Sequence, residues 1–424
     1  MNAPRVGFIT FGCRVNQYET QMMRAKLAGD YRLSDDDADL YIVNACTVTA
    51  LAERKARQAV HRLRREHPQA KIVLIGCLAD AVEQGLTAID GVDLLAGNAW
   101  KGRITEVVAR ALAGETGLLA GSGPVPLSEE RIVGHPGRVR AFLKVQDGCD
   151  LSCTFCRTTQ VRGSSRSKPV AAAVAEAKGL IAEGYPEIVL TGINLAQYGA
   201  PDGNLAQLVR ELLKIDGLRR LRLASINPYG ITEELVETFT ADPRACPHFH
   251  IPLQSGDDRI LRAMGRGYTV SFYRSRIELI RRFLPAATFG ADVIIGFPGE
   301  DETAFRNTCR LIEEVGFANL HVFRYSPRIG TVAAGVVGQV PEPVKRDRAK
   351  ELEEIYREVQ ARVLSRFVGR EEEILIEERK DGVWRGYTRG YIDTFVTGDF
   401  AVGNEVRVEI TAALPGHLEG VRKD

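Results

Sequence analysis

The feature that most constrains the fold is an alternation of strands and helices through the middle of the chain. Six short apolar runs are predicted strands: Val139–Val145, Glu187–Thr191, Arg220–Ala224, Pro247–Ile251, Phe289–Ile295 and Asn319–Phe323. Predicted helices such as Val170–Glu183 and Tyr273–Phe283 separate most of these strands. This alternation predicts a parallel sheet with helices on its faces. Six β/α units are too few for an eight-stranded barrel, so we predict an open, partial (β/α)6 barrel.

The beginning of the chain shows the same alternation. The runs Arg5–Thr10, Ala38–Val43 and Lys71–Ile75 read as strands, and charge-rich stretches such as Glu53–Glu66 read as helices. This pattern predicts an open parallel α/β domain that precedes the partial barrel.

Changes in composition divide the rest of the chain. A stretch rich in Gly and Pro is interpreted as a linker, and a long charged helix follows the partial barrel. Short β runs between Gly and Asp turns then predict a small β-barrel. The predicted division is an N-terminal domain at 1–113, a linker at 114–138, the partial barrel at 139–340, a connecting helix at 341–367 and the tail at 368–424.

Composition limits the possible functions. The net charge of the 424 residues is +1, so any nucleic-acid site must be a local patch. The chain has no apolar run of about 18 residues and no apolar leader, which predicts a cytoplasmic protein that does not contact a membrane. Its eight cysteines then favour metal or redox chemistry over disulfides.

Three cysteines follow the first strand of the predicted partial barrel. Cys149, Cys153 and Cys156 are spaced C-x3-C-x2-C. Thiolates this close on a loop can hold a four-iron cluster, and three ligands leave one iron open to a substrate. The alternatives are a zinc knuckle or a set of buried, reduced thiols. A structural zinc requires a fourth ligand, and no His or Cys lies within twenty residues after Cys156.

A second set of cysteines is dispersed in sequence. Cys13, Cys46 and Cys77 each follow one of the three N-terminal strands. Because the carboxyl ends of parallel strands share one edge of a sheet, these thiols are expected to converge there. The alternative is that each is an ordinary core cysteine, as Cys246 and Cys309 are interpreted to be.

Together these motifs resemble the radical S-adenosylmethionine (SAM) superfamily, and in particular its methylthiotransferases. The N-terminal motifs of that family are matched by Phe11–Glu19, Asn44–Thr49 and Gly76-Cys77. The resemblance implies two [4Fe-4S] clusters, one on each cysteine triplet. It further implies that SAM binds the open iron held by Cys149, Cys153 and Cys156, and that the auxiliary cluster carries the sulfur to be inserted.

The resemblance also implies contacts to SAM near the ends of the barrel strands. The matching segments are Thr191–Asn194, Ile251–Gly256 and Asp292–Glu300. The residues expected to contact SAM are Thr191, Asn194, Ser225, Gln254 and Asp292, and no catalytic side chain beyond the cluster ligands is assigned. Two segments depart from the family pattern, Arg157–Gln160 after the triplet and Asn227 in Ser225–Pro228.

The segments Cys13–Thr20 and Asn44–Thr49 look most like one branch of the family. That branch acts on N6-threonylcarbamoyladenosine beside the anticodon of tRNA, at position 37, and forms its 2-methylthio derivative. The implied partners are tRNA, an electron donor and a sulfur source. Two other branches remain as alternatives, acting on isopentenyl-adenosine in tRNA or on a ribosomal-protein aspartate. A non-enzymatic alternative is an iron–sulfur electron carrier or RNA-binding sensor.

RNA contacts are expected in two places. The tail resembles a TRAM domain, and its stretch Trp384–Tyr391 interleaves aromatic rings with arginines, which suits base stacking and phosphate contact. An ordinary hairpin with a solvated basic face is the alternative. The residues predicted to contact RNA are Trp384, Arg385, Tyr387 and Arg389 in the tail and Arg162 and Arg166 after the cysteine loop. Basic residues of Glu53–Glu66 are interpreted as a solvated helix face.

Overall fold

The computed structural model describes residues 3–119 and 123–422. Its N-terminal domain is built on a six-stranded parallel sheet in the order β2-β1-β3-β4-β5-β6. The strands are β1 (Arg5–Thr10), β2 (Arg32–Leu33), β3 (Leu40–Asn44), β4 (Lys71–Ile75), β5 (Leu94–Ala96) and β6 (Gly117–Leu119). The helices are α1 (Arg14–Leu27), α2 (Ala50–Glu66), α3 (Cys77–Glu83) and α4 (Ile104–Leu112).

The central strands of this sheet are buried on both faces. All of β3 is buried, and β4 is buried beyond its first residue. Such strands read as continuous apolar runs rather than alternating ones, which is why the sequence reveals them clearly. Strand β6 is short and lies within the stretch interpreted as a linker, yet it pairs in parallel with β5. The sheet therefore extends past residue 113, where the predicted domain ended.

The middle of the chain forms six parallel strands in chain order. These are β7 (Arg140–Lys144), β10 (Glu187–Thr191), β13 (Arg220–Leu223), β14 (His248–His250), β15 (Thr288–Ile295) and β16 (Asn319–Arg324). Strands β7, β10 and β13 form one ladder and β14, β15 and β16 another. Parallel bridges from Leu221 to Ala245 and from Ser225 to His250 join the two ladders. The predicted partial barrel of six strands is confirmed.

Helices and short strand pairs connect the barrel strands. The helices are α5 (Thr158–Arg162), α6 (Val170–Ala182), α7 (Leu205–Leu213), α8 (Glu233–Ala241), α9 (Asp258–Ala263), α10 (Val270–Phe283) and α11 (Glu302–Val315). The short strands are β8 (Gln146–Asp147), β9 (Arg166–Ser167), β11 (Gly199–Ala200) and β12 (Gly203–Asn204). The cysteine loop of residues 149–156 lies between β8 and α5.

The tail is a closed five-stranded barrel, as predicted. Helix α12 (Glu342–Ser365) leads into it, and its strands pair in the order β17-β18-β19-β21-β20. They are β17 (Glu371–Lys380), β18 (Val383–Thr388), β19 (Asp393–Thr397), β20 (Glu405–Leu414) and β21 (His417–Arg422). Register shifts at Ile376/Glu378 and Ile410/Ala412 bend the long strands so that the sheet closes.

The tail barrel packs against the partial barrel through buried charges. Arg220 lies on β13 and is fully buried. Its guanidinium donates to the carbonyl oxygens of Tyr387 at 3.0 Å and Glu373 at 2.8 Å, and to the Glu405 carboxylate at 2.6 Å. These bonds fix the tail barrel beside β13. None of the described helices is long and apolar enough to cross a membrane.

Candidate functional site

One cavity of about 700 Å³ is lined by six of the eight cysteines. It lies between the N-terminal sheet and the partial barrel. The six are Cys13, Cys46 and Cys77 from the N-terminal domain and Cys149, Cys153 and Cys156 from the barrel loop. Two sets that are far apart in sequence therefore face one shared cavity.

The N-terminal set occupies the carboxyl edge of three adjacent strands. Cys13 follows β1 and precedes α1, Cys46 follows β3, and Cys77 begins α3 directly after β4. Gly12 permits this convergence, because its φ is +115° and an added Cβ would lie 2.5 Å from Cys46 Cβ. A side chain at position 12 would fill the space beside the thiols.

The surroundings of the N-terminal thiols suit an iron–sulfur cluster. Cys46 Sγ accepts a hydrogen bond from Val48 N at 3.3 Å, and Cys77 Sγ accepts one from Asn98 Nδ2 at 3.4 Å. Burial, together with the nearby thiols Cys77 and Cys13, raises the pKa of Cys46 to about 12. Thiols this hard to ionise become thiolates when a metal binds them. Three clustered thiols with amide donors therefore fit a cluster and its sulfur ligands.

The barrel thiols also have hydrogen-bond donors directed at them. Cys153 Sγ accepts from Arg266 Nη1 at 3.3 Å, Cys156 Sγ accepts from Thr158 N at 3.4 Å, and Cys149 Sγ accepts from Asn194 Nδ2 at 3.7 Å. Cationic and amide donors of this kind stabilise thiolates and the sulfurs of a cluster. The loop fits a [4Fe-4S] cluster with one iron unligated by the protein.

Four of the five residues predicted to contact SAM line the same cavity. They are Asn194, Ser225, Gln254 and Asp292. The fifth, Thr191, is buried at the end of β10 and is not among the lining residues, although its carbonyl oxygen accepts from Val145 N at 3.0 Å. Gln254 adopts a φ of +65°, which is uncommon for a residue with a side chain and is typical of functional sites. The SAM contacts themselves stay predictions.

Asp292 is held by two histidines that the sequence analysis did not single out. His250 Nε2 lies 3.2 Å from one carboxylate oxygen and His321 Nδ1 lies 3.0 Å from the other. Burial alone would raise the pKa of Asp292, but the hydrogen bonds from His250 and His321 hold it well below its usual range. The three side chains lie on the adjacent strands β14, β15 and β16, and the register of these strands brings them together.

Both departures from the family pattern have structural roles. Arg157 is buried, and its guanidinium donates to Thr47 Oγ1 at 3.2 Å and to the Ile329 carbonyl oxygen at 2.6 Å. It thereby joins the cysteine loop to the N-terminal domain. Asn227 lines the cavity, donates to Asn194 Oδ1 at 2.7 Å and accepts from Arg266. Both residues therefore belong to the hydrogen-bond network around the barrel cysteines.

Arg162 lies in a buried network of charges instead of on the surface. Its side chain is 3% exposed and donates to Glu19 at 2.8 Å and to Asp147 at 2.9 Å. Lys144 bridges the same two carboxylates. The charge of Arg162 also opposes the effect of burial on the pKa of Cys13. Its contacts are therefore those of a residue that balances charge beside the N-terminal thiols. Arg166 is half-buried and donates to the Val125 carbonyl oxygen at 3.1 Å.

The tail residues predicted to contact RNA make contacts within the protein. Trp384 is buried in the tail core, and Arg385 donates to Asp393 at 2.9 Å. Arg389 pairs with Glu373 and Glu405, both at 3.0 Å. The Tyr387 ring stacks on that of Tyr391, with ring centres 5.0 Å apart. The RNA roles of these residues stay predictions.

Family models match all three parts of the chain. They are the Uncharacterized protein family UPF0004 at residues 5–97, the Radical SAM superfamily at 143–312 and the TRAM domain at 365–422. A partial parallel barrel with a three-cysteine loop at the end of its first strand defines the radical SAM class of enzymes.

Curated relatives extend over almost the whole chain. The threonylcarbamoyladenosine tRNA methylthiotransferase MtaB of Thermotoga maritima is 38% identical over 94% of this chain and 91% of its own length. The protein of the same name from Bacillus subtilis is 34% identical over 98% of this chain and 95% of its own length. The chain belongs to the radical SAM methylthiotransferase family, in the branch that contains MtaB. Its cofactors are accordingly SAM and [4Fe-4S] clusters.

Solved structures share the fold at low sequence identity. The radical SAM methyltransferase TsrM from Kitasatospora setae aligns with a TM-score of 0.57 and 16% identity over 78% of this chain and 75% of its own. The cobalamin-dependent SAM radical enzyme OxsB aligns with a TM-score of 0.51 and 12% identity over 83% of this chain and 56% of its own. At these identities the likeness concerns the fold alone.

Proposed function

We propose that this enzyme converts N6-threonylcarbamoyladenosine at position 37 of a tRNA to its 2-methylthio derivative. The observation that carries the proposal is that both cysteine triplets line one cavity, so a base placed there faces both. The names of the relatives, which agree on this substrate, support the choice of base.

When bound, SAM and the two clusters supply the radical and sulfur-transfer chemistry of the reaction. The protein's residues hold and shield these groups. The two cysteine triplets fix their positions, and Arg266 and Asn98 donate to the cysteine sulfurs. Arg162 and Glu19 join the two domains beneath the N-terminal thiols, so that the separation of the triplets is fixed by a buried network.

The proposed partners are tRNA as substrate, an electron donor that reduces the barrel cluster and a source of sulfur for the N-terminal cluster. We propose that the enzyme acts in the cytoplasm, where its tRNA substrate is found. The TRAM match in the tail supports a tRNA partner.

The test is a product assay with anaerobically reconstituted protein, SAM and a chemical reductant. Its substrates are an anticodon stem-loop that carries N6-threonylcarbamoyladenosine, the same stem-loop with isopentenyl-adenosine, and a ribosomal protein. Mass spectrometry of the digested RNA and of the ribosomal protein should find a methylthio product only with the first substrate. Modification of either other substrate instead would overturn the proposal, and SAM cleavage without any modified product would favour a non-transferase role.

A further inference from the structure

A second, smaller cavity of about 110 Å³ adjoins the cysteine cavity. All three domains contribute to its lining. Arg14 comes from α1, Arg222, His250, His321 and Asn319 from the partial barrel, and Tyr391 from the tail barrel. Arginine or histidine side chains from four elements, α1, β13, β14 and β16, therefore surround a space large enough for a small polar group.

The two cavities share a wall. Asp292 lines the cysteine cavity, and its carboxylate contacts His250 and His321, which line the small cavity. Arg14 directly follows Cys13, which lines the cysteine cavity. One layer of side chains therefore separates the two cavities.

Arg14 differs from the other arginine of this cavity because its guanidinium lacks an anionic partner within the described part of the chain. Arg222 is paired with Glu187 at 2.7 Å. Arg14 donates to the Tyr391 hydroxyl at 3.2 Å and lies over the rings of Phe142 and Tyr391, and it forms no ion pair with any carboxylate of the described residues. The Tyr391 hydroxyl accepts that bond, so its own hydrogen is available to a further acceptor.

The electrostatic surroundings of Tyr391 favour an anion. Burial would raise the pKa of its phenol, yet the charges of Arg140, Arg14 and Arg222 together bring that pKa below its ordinary value. Tyr391 also has a φ of +59°, and its carbonyl oxygen accepts from Asn319 Nδ2 at 3.3 Å. A fixed phenol in a positive field beside an unpaired guanidinium is a suitable receptor for a carboxylate.

We propose that Arg14 and Tyr391 bind the carboxylate of the threonyl group on the substrate base. This inference rests on the proposed function, because the threonylcarbamoyl group of that base ends in a carboxylate. In adenine, C2 and C6 flank the same ring nitrogen. A base whose C2 faces the cysteine triplets therefore directs its N6 substituent to one side, toward a neighbouring recess. The guanidinium would donate two parallel hydrogen bonds to the carboxylate, and this contact selects a carboxylate over a neutral group.

The test compares an acid and its neutral analogue on the intact, cluster-loaded enzyme. The first substrate is an anticodon stem-loop with N6-threonylcarbamoyladenosine. The second is the same stem-loop in which the threonyl carboxylate is a methyl ester. We expect the wild-type enzyme to prefer the acid in kcat/KM by roughly 10- to 100-fold, as charge-assisted hydrogen bonds usually provide. Arg14→Gln should remove most of this preference, Arg14→Lys should retain part of it, and Tyr391→Phe should reduce it less than Arg14→Gln.

Two controls separate a specific role from a structural one. Arg138→Gln removes an exposed arginine that, like Arg14, contacts the Phe142 ring, and it should leave the preference unchanged. Iron content and the affinity of each variant for both stem-loops without SAM are measured alongside. An unaltered acid-to-ester ratio in a cluster-loaded Arg14→Gln variant would overturn this inference. The proposed function would be overturned by a different result. In that case the wild-type enzyme would modify neither the acid nor the ester stem-loop but would modify a stem-loop that carries isopentenyl-adenosine.

Discussion

At the scale of single residues, the cysteines and their donors define the site. The two triplets differ in their surroundings, because an arginine donates to a sulfur of the barrel set whereas the N-terminal set receives amide donors. Hydrogen bonds and nearby charge tune the potential of an iron–sulfur cluster. The two clusters are therefore expected to differ in potential and in role.

Reciprocal triple substitutions should separate those roles. Reconstituted wild-type protein should bind about eight irons, as two four-iron clusters. The variant in which Cys149, Cys153 and Cys156 are replaced by Ala should bind about four irons. Changing Cys13, Cys46 and Cys77 to Ala should also leave about four irons, and this variant should still cleave SAM to 5′-deoxyadenosine but form no methylthio product. Iron analysis and chromatography of SAM products are the measurements.

Substitution of Cys246 and Cys309 by Ala provides the matched control. Both are buried outside the cysteine cavity, so iron content should stay at the wild-type value. If the N-terminal triple variant is folded but yields no 5′-deoxyadenosine, the division of roles between the clusters is wrong.

At the scale of elements, one buried carboxylate joins three strands of the partial barrel. Glu187 begins β10 and is completely buried, and it pairs with Arg222 on β13 at 2.7 Å and lies 3.9 Å from Arg140 on β7. Burial would raise its pKa, but Arg222 and then Arg140 outweigh that effect and lower it to about 2. Removing one partner of such a group leaves buried charges uncompensated.

Glu187→Gln should therefore destabilise the protein by about 3–5 kcal/mol at pH 7. Because the folded-state pKa is below the ordinary value of 4.5, the stabilisation is complete above pH 4.5 and is lost as the pH falls toward about 2. Urea denaturation of the wild-type protein and the variant from pH 8 to pH 3.5 measures this loss of stability and its dependence on pH. The difference in unfolding free energy should be constant down to about pH 5 and then shrink.

Glu183→Gln is the matched control, because Glu183 is an exposed glutamate that precedes the same strand. It should change the unfolding free energy by less than about 0.5 kcal/mol. A Glu187→Gln variant as stable as this control at pH 7 would contradict the account of the buried charges.

At the scale of the whole molecule, the tail barrel has two sides with different partners. On one side, Arg389 donates to the Arg219 carbonyl oxygen of the partial barrel at 3.4 Å, and Tyr391 lines the small cavity. Arg379 and Lys380, at the end of β17, are exposed on the tail barrel. The guanidinium of Arg379 lies 5.5 Å from the centre of the Trp384 ring. An RNA contact is thus more accessible at the β17–β18 turn than at the residues between Trp384 and Tyr391.

Changing both Arg379 and Lys380 to Ala should weaken tRNA binding and flatten its salt dependence. Each lost phosphate contact should reduce the slope of log affinity against log salt by about 0.7–0.9. Deletion of residues 368–424 should weaken binding further while both clusters remain, since no cluster ligand lies in the tail. Affinity measured over a salt series, with iron analysis in parallel, checks both expectations.

The matched comparison is the double variant Arg385→Ala and Arg389→Ala. Both arginines are paired with carboxylates inside the protein, so their loss should lower stability more than it changes the salt slope. Equal slopes for wild type and the Arg379, Lys380 double variant would place the RNA contact elsewhere, and a reduced slope for Arg385→Ala with Arg389→Ala would support the prediction made from sequence.

The sequence by itself determined the architecture and the two cysteine sets. Buried parallel strands such as Lys71–Ile75 and Glu187–Thr191 are continuous apolar runs, and their predicted bounds agree with the structure. The triplet at residues 149–156 could be predicted because its three cysteines lie close together in the sequence. The N-terminal set could be predicted because ends of parallel strands share an edge, which is a rule of topology.

Only the tertiary structure decided which polar side chains are paired and which are free. Arg162 and Arg14 both lie close to cluster cysteines. Arg162 is buried against Glu19 and Asp147, whereas Arg14 has no anionic partner among the residues that the structure describes. His250, Asp292 and His321 meet through strand register, and Tyr391 reaches the interior from the tail. Burial and pairing depend on contacts between residues far apart in the chain, so composition and local spacing do not encode them.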